Sequence, residues 1–569
     1  MKELSKKSNV KERIIILFMY ITLYLFYFNI QFSDFSTALL YDGKYFDVLQ
    51  VYWNTWHFSF QLKHFSNPFV ANHQLFPQTI NLWMHAYTPI LGLINLIINN
   101  PTLSINIGLF SVFILGSIFA YRLTSIFIRN KIYRFLASTF YMFNLYTINK
   151  MGVHYNLLLI CITPLLIYTI LKAIDINEQK ININKKYAYQ SILLIFINFL
   201  FDYYALFYAI SFVILYVFYF KYFRCWLVKF NWKKSIVLVV FFILMHILIR
   251  ILRLSGVSEK GALWSAADIR SYFLSSTSYY PDWLQLNTGL LSEHSLFIGY
   301  TMLFAFCFFI FMKNRDQNTR FLFFTIIVYV MVTSPIVRVN NSDLFFFPTG
   351  IIHFVPFVNN IRNPSRFLEM IFLLMPIFIF RKIELIKPRI NYTWIIIIFL
   401  LSSYEQKLYA KSYLKTKKYD TNNRLKYSSS YTLKEKLPAG SGILYIPFGI
   451  KDGFEKWGVF DEEIYLEQSI HELKLSSAYY SRINEKIWDT YQSDVFYTSL
   501  ILAQKDSLVK NPTEEQVKQF ISNNKIAAIY IKEEFLIGKA NLQLFLESIF
   551  PRDEFIWEEF NDRVLIILK

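Results

Sequence analysis

Apolar runs long enough to cross a lipid bilayer recur through the first 405 residues of this chain. In lipid, only helices and closed barrels satisfy every backbone polar group, and these runs have the length of spanning helices. The chain is therefore read as mainly α, a polytopic transmembrane helical bundle. Only 17% of its residues are charged, against about 25% in soluble domains. After about Glu405 charged and polar residues become frequent. Residues 1–404 are accordingly assigned to a transmembrane domain, and residues 405–569 to a soluble domain of ordinary size.

The formal charge of +18 does not point to nucleic acid, because no basic recognition helix or aromatic RNA platform accompanies it. Lys and Arg instead cluster between apolar runs, at Arg122–Arg134, Lys172–Lys186, Lys221–Lys234, Lys313–Arg320 and Arg381–Arg389. The positive-inside rule places each cluster in the cytosol, so an even number of crossings separates neighbours. Lys2, Lys6, Lys7, Lys11 and Arg13 precede the first run, which has no small-residue cleavage site after it. It is read as an uncleaved span at roughly 14–32 with a cytoplasmic N-terminus. Residues 86–99 are apolar but too short to cross. The count is then about eleven spans, a large first outer loop at 33–102 and an extracytoplasmic C-terminal domain. Cys161, Cys225 and Cys307 lie in or beside apolar runs and show neither metal-ligand nor disulfide spacing.

This threading gathers polar residues on the outer side. The first loop holds Asp42 and Asp47, and hairpin turns bring His154 and then Asp202 with Tyr203. A long loop ends in Glu293 and His294, and the next contains His353, Arg362 and Arg366. Ionisable groups at the mouth of an apolar bundle lose hydration and need a partner or a task. Bland readings stand beside these. Asp42 next to Gly43 suits a turn, Asp47 suits a helix N-cap, and His154 suits an interfacial histidine. Glu293 and His294 suit solvated loop positions, and the two arginines suit snorkelling anchors. The sharper readings are carboxylates for proton transfer and a guanidinium clamp for an anion. The loops are also rich in Tyr and Trp, which interfacial belts explain.

An ordered set of motifs resembles a family. Asp47-Val-Leu-Gln-Val-Tyr-Trp53-Asn54-Thr-Trp56 is followed by Asn67-Pro68-Phe69, Leu75-Phe76-Pro77-Gln78-Thr79-Ile80-Asn81-Leu82, His85 and Thr88-Pro89. Then come Gly152-Val-His154-Tyr-Asn156, Asp202-Tyr203-Tyr204, Gly299-Tyr300 and Arg362-Asn-Pro364-Ser-Arg366-Phe367. The set resembles a branch of the bacterial GT-C superfamily of integral membrane glycosyltransferases, and covers most of the membrane part. Gln78-Thr79-Ile80 departs from it where many members have a glycine. The resemblance implies a GT-C-like fold and transfer of a sugar from a polyprenyl-phosphate donor to an extracytoplasmic acceptor (glycan, lipid or protein). It implies that Asp47 acts as base or metal ligand near the acceptor, with Asp42 as runner-up; the threading adds Asp202 and Glu293 as further catalytic candidates. It implies basic residues near the outer face that hold the donor phosphate, for which Arg362 and Arg366 are the candidates; His154, His294, His85 and Tyr203 are further candidates for substrate contact. A divalent metal between acidic loops is compatible with such chemistry, but the chain has no Asp-x-Asp pattern. The implied site of action is the cell membrane.

Beyond the membrane part, strand-like runs at Gly442–Pro447, Ile526–Ile531 and Arg563–Leu568 alternate with helical patterns, which suggests an α/β domain. Ser477–Arg482 reads as a structural turn. Two other functions compete with transfer: a flippase or transporter of lipid-linked glycan, and a non-catalytic scaffold. A transporter would carry ionisable residues at mid-bilayer and broken helices, whereas the carboxylates above fall at outer loops or span ends.

Overall fold

The computed structural model describes the chain except residues 1, 29–33, 42–45, 83, 84, 86, 177–180, 199, 201–203, 224–231, 256–265, 276–284, 286–295, 313–315, 341, 356–362, 387–391, 420, 422, 454, 510, 561 and 569. It forms two compact units: Met1–Gln31, Leu40–Gly43 and Leu109–Lys415 in the first, and Phe32–Leu39, Lys44–Gly108 and Thr416–Lys569 in the second.

The first unit is helical. Its apolar runs fold as Lys2–Phe28, Lys131–Met142, Leu145–Val153, Thr163–Ala173, Lys185–Asn198, Tyr204–Phe218, Trp232–Leu254, Tyr300–Ile310, Gln317–Thr333, Leu368–Leu385 and Tyr392–Tyr413. Among the described residues, three helical stretches are long and apolar enough to cross a membrane: Pro101–Phe127, Tyr204–Phe223 and Ile236–Leu254. Leu368–Leu385 is the centre of the unit. It is buried continuously from Leu368 to Phe380, and it packs against Gln317–Thr333 and Lys131–Met142. An apolar helix buried on every face belongs inside a bundle. Its C-terminal end carries a polar collar. Arg381 pairs with Asp316 at 2.5 Å and with Glu384 at 2.8 Å. Glu384 accepts from the Arg129 and Asn130 amides at 3.0 and 2.7 Å.

The helix Tyr392–Tyr413 continues beyond the expected end at residue 404. Glu405 explains the extension: its carboxylate accepts from the Tyr300 amide at 2.9 Å and the Thr301 amide at 3.3 Å. A charge that would end an apolar span thereby caps another helix, at the terminus where orphan amides favour an anion.

The second unit joins the first-loop segment to the C-terminal segment. This grouping departs from the sequence division at 404/405, which left the loop with the membrane part. The helix Phe46–Lys63 is the cause. Its buried residues include Val48, Leu49, Tyr52, Trp53 and Trp56, but also Gln50, Asn54, Thr55 and His57. Such a helix needs polar and apolar partners on all sides. It packs on Pro89–Ile98 and on Ile464–His471. At the first contact Gly92 sits so close that an added Cβ would lie 2.4 Å from Phe58 Cβ. Pro89–Ile98 has only 10 residues, so the helix within the apolar segment is a packed one, too short to span.

The sheet of this unit has five strands, in the order Lys474–Leu475, Gly442–Ile446, Ile526–Lys532, Arg563–Ile567, Ile556–Glu559. Gly442–Ile446 is parallel to both neighbours, and the last three strands are antiparallel. All five residues of Gly442–Ile446 are buried, as a central strand covered on both faces requires. The loop extends this edge: the Leu475 amide donates to the His73 carbonyl at 2.8 Å, and the Phe76 amide to the Leu475 carbonyl at 2.9 Å. A second sheet orders Lys456–Gly458, Gly449–Lys451 and Ala478–Tyr479.

Candidate functional site

In the second unit the site is built around Asp47, in the first turn of Phe46–Lys63. The Tyr479 hydroxyl donates to Asp47 Oδ1 at 3.0 Å. One turn along the same helix, Gln50 Nε2 donates to the Tyr479 carbonyl at 3.1 Å. That carbonyl also accepts from the Tyr465 hydroxyl at 2.8 Å. Ser477–Arg482, expected to be a structural turn, thus supplies the strand that touches Asp47.

Around this contact lie two further ionisable groups. Lys451 places its Nζ 4.4 Å from the centre of the Tyr479 ring. Burial pushes its ammonium pKa down, and the charges of Glu462 and Asp47 pull it back up. Burial pushes Glu462 up to about 7, with Asp461 adding to the rise and Lys451 and Lys456 opposing it. A carboxyl titrating near neutrality beside a second carboxylate is the kind of arrangement found where protons move.

His85 is buried in the same unit, and its tautomer follows from its partners. The Ser481 amide donates to Nδ1 at 3.0 Å, so Nδ1 accepts. Nε2 therefore carries the proton and faces Asn54 Oδ1 at 3.0 Å. Burial holds this imidazole down to about 3, against a weaker upward pull from Asp47. Its geometry is that of a neutral clasp between loop and C-terminal residues. Trp53 acts likewise: it is fully buried, donates to Gln468 Oε1 at 2.7 Å, and stacks on His57 at 4.5 Å.

In the first unit Arg366 lies on the short 3-10 turn Pro364–Phe367, at the N-terminal end of the central helix. Its Nη1 donates to the Tyr204 hydroxyl at 2.9 Å, and its guanidinium lies 5.2 Å from that ring's centre. Its carbonyl accepts from the Tyr208 hydroxyl at 2.8 Å. Proline fixes the turn's entry, Tyr204 holds the side chain, and Tyr208 holds the backbone. His154 caps the helix Leu145–Val153, its amide donating to the Lys150 carbonyl at 2.9 Å.

Asp42, Asp202, Tyr203, Glu293, His294 and Arg362 lie outside the described residues. Of the rest, the structure brings Asp47 and His85 into one unit, and Arg366 and His154 into the other. Sequence reasoning set Tyr479 aside inside a stretch weighed as substrate contact but read as a structural turn, and it missed Lys451 and Glu462, which no local pattern marks. It also missed Glu369, a buried carboxylate in the first turn of the central helix. That one had a signal: a lone acid inside an apolar run, three residues after Arg366. Among the described residues no three His, Cys, Asp or Glu side chains converge to hold a metal.

No family model matches the sequence, and no curated protein matches it. Among solved structures, the cryo-EM structure of the arabinofuranosyltransferase AftD from Mycobacteria aligns with 91% of this chain at 12% identity, with a TM-score of 0.50. The oligosaccharyltransferase AglB from Archaeoglobus fulgidus, in complex with an inhibitory peptide and a dolichol-phosphate, aligns with 94% of this chain and 72% of its own. That match has 10% identity and a TM-score of 0.45. The chain spans about a third of AftD, 35% of its length. The likeness to AftD is one of fold alone.

Proposed function

We propose that this protein is a membrane glycosyltransferase that moves a sugar from a polyprenyl-phosphate carrier to an acceptor on the extracytoplasmic side. The observation that carries the reading is Asp47, held on a packed loop helix by the Tyr479 hydroxyl, in a chain with the fold of a membrane glycosyltransferase.

In this reading Asp47 accepts the proton of the acceptor group as its oxygen or nitrogen attacks the anomeric carbon. The bond from that carbon to the carrier phosphate breaks, and the phosphate leaves with the electron pair. Within the first unit, Arg366, with its guanidinium fixed against Tyr204, presents positive charge and planar donors of the kind that suits a phosphate. Held donors act without reorganising as charge develops. A lipid-linked donor also needs an apolar surface next to a polar one, which the ends of membrane helices provide. A divalent ion, where present, would add positive charge at the leaving phosphate.

The test is transfer from a labelled polyprenyl-phosphate sugar by the full-length protein in proteoliposomes. Asp47→Asn keeps the shape of the side chain and removes its basicity. We expect kcat to fall by about 100-fold or more, with unchanged expression and thermal stability. Transfer at the unsubstituted rate refutes the assignment of Asp47 as base. Movement of intact lipid-linked sugar across the bilayer without transfer points to a translocator instead.

A further inference from the structure

Residues more than four hundred positions apart meet at Asp47, and the contact is more specific than packing alone requires. Ala478–Tyr479 runs parallel to Gly449–Lys451, with Ile450 beside Ala478 and Lys451 beside Tyr479. Register partners on adjacent strands present their side chains to one face. That register sets Lys451 Nζ over the Tyr479 ring at 4.4 Å, while the hydroxyl of the same ring reaches Asp47 at 3.0 Å. An ionised carboxylate can only accept, so the phenol donates. A cation on the face of the ring draws electron density from it and strengthens the hydroxyl as a donor. The helix that carries Asp47 also grips the tyrosine backbone through Gln50, and the Tyr465 hydroxyl donates to the same carbonyl. The Tyr479 backbone is thereby held next to the helix that carries Asp47.

We propose that Tyr479, polarised by Lys451, is a positioning residue for Asp47, so that the C-terminal segment takes part in the transfer step itself. This rests on the glycosyltransferase reading. The phenol keeps its proton throughout. It fixes the rotation of the carboxylate and stabilises its ionised form, so that Asp47 stands ready to take the acceptor proton. Glu462, Glu455, Lys456 and Asp461 are further charged groups near Lys451 and Asp47 in sequence or field, and none of them replaces the hydroxyl contact.

The test uses full-length protein in proteoliposomes with a labelled polyprenyl-phosphate sugar, and compares Tyr479→Phe, Lys451→Met and Asp47→Asn. Tyr479→Phe keeps the ring and deletes one oxygen. We expect kcat to fall about ten-fold, donor KM to stay within about two-fold, and the acidic limb of the kcat profile to move to higher pH, because loss of a donor favours the protonated carboxyl. Lys451→Met moves the limb the same way, through the ring and through its own charge on Asp47, so the double variant moves it further than Tyr479→Phe. A second readout needs no turnover. The infrared carboxyl band that disappears in Asp47→Asn belongs to Asp47, and its titration midpoint rises in Tyr479→Phe. An unmoved midpoint and an unmoved acidic limb overturn the proposal, even if kcat falls. If Asp47→Asn retains full transfer, the functional reading fails and this inference with it. If Asp47→Asn is inactive while Tyr479→Phe matches the unsubstituted enzyme in kcat and limb, this inference alone fails.

Discussion

Acidification from pH 7 to pH 5.5 is expected to loosen the second unit by a few kcal/mol, because four of its histidines are folded neutral. His73 is held down to about 4, His85 and His471 to about 3, and His57 well below its ordinary value, in each case chiefly by burial. Three have a structural reason to resist protonation beyond desolvation, since their Nδ1 is an acceptor. His73 accepts from Gln61 at 3.1 Å, His85 from the Ser481 amide at 3.0 Å, and His471 from the Leu473 amide at 3.0 Å. The unfolded chain takes up a proton at each near pH 6.5 while the folded chain does not. A folded value depressed below the unfolded one gives stability that is complete above about pH 6.5 and falls as pH drops toward the folded value. From pH 7 to 5.5 each buried imidazole loses about 1.2 kcal/mol, so four lose about 5 kcal/mol. Glu462 opposes this. Its folded value of about 7 lies above the usual carboxyl range, so the folded state gains up to about 1.6 kcal/mol over the same interval. Glu467 and Asp494, also raised by burial, act in the same sense as Glu462. The net loss is then at most about 3 kcal/mol, roughly a hundred-fold in the opening equilibrium. Hydrogen exchange on the full-length protein, corrected for intrinsic rates, reads it in peptides from Phe46–Lys63 and Gly442–Ile446. His471→Gln should remove about one proton from the slope. Protection that is flat between pH 7 and 5.5 refutes the assignment of these histidines as neutral in the fold.

Further outcomes follow from single contacts. Glu467 and Arg563 form an ion pair with both side chains 3% exposed, so Glu467→Ala strands a buried guanidinium and should cost about 3–5 kcal/mol in unfolding free energy. Gly92→Ala, with no space before Phe58 Cβ, should cost about 1–3 kcal/mol and raise protease cleavage in the first-loop segment. Arg366→Lys removes the planar fork seated on Tyr204; donor KM should rise about ten-fold while thermal stability holds. Glu405→Gln weakens the cap on Tyr300–Ile310 and should lower the melting temperature without changing KM for the donor.

The membrane part was legible because its signal is local. An apolar run bounded by Lys or Arg marks a helix with no reference to its neighbours, and the runs read from the sequence reappear as helices of the first unit. Where the reading slipped, a distant partner was responsible. Glu405 looked like the start of a soluble domain, because nothing nearby announces that its carboxylate caps a helix about a hundred residues earlier. The strand runs at Gly442, Ile526 and Arg563 were equally local, being short and rich in β-branched residues, and they are adjacent strands of one sheet.

The site divides in the same way, for a chemical reason. Asp47 stood out because a carboxylate at the head of an aromatic helix demands an account whatever it touches. Tyr479 and Lys451 demand none, since tyrosine and lysine are unremarkable in a domain with polar surfaces. Only strand register brings them together, and register is a property of pairing that no window along the chain contains. His85 failed in the opposite direction. It entered through the family motifs as a substrate contact, and in the fold its Nδ1 accepts from the Ser481 amide while its Nε2 faces Asn54. The same clasp accounts for the regrouping of the chain. A loop helix that buries Asn54 and Trp53 beside its apolar residues cannot leave those polar atoms dry. Trp53 meets Gln468 directly, and Asn54 meets His85, whose other ring nitrogen meets Ser481; Gln468 and Ser481 are both C-terminal. The polar residues of Phe46–Lys63 that look out of place in an aromatic helix are therefore what commits the loop to the α/β segment, and with it Asp47 to Tyr479.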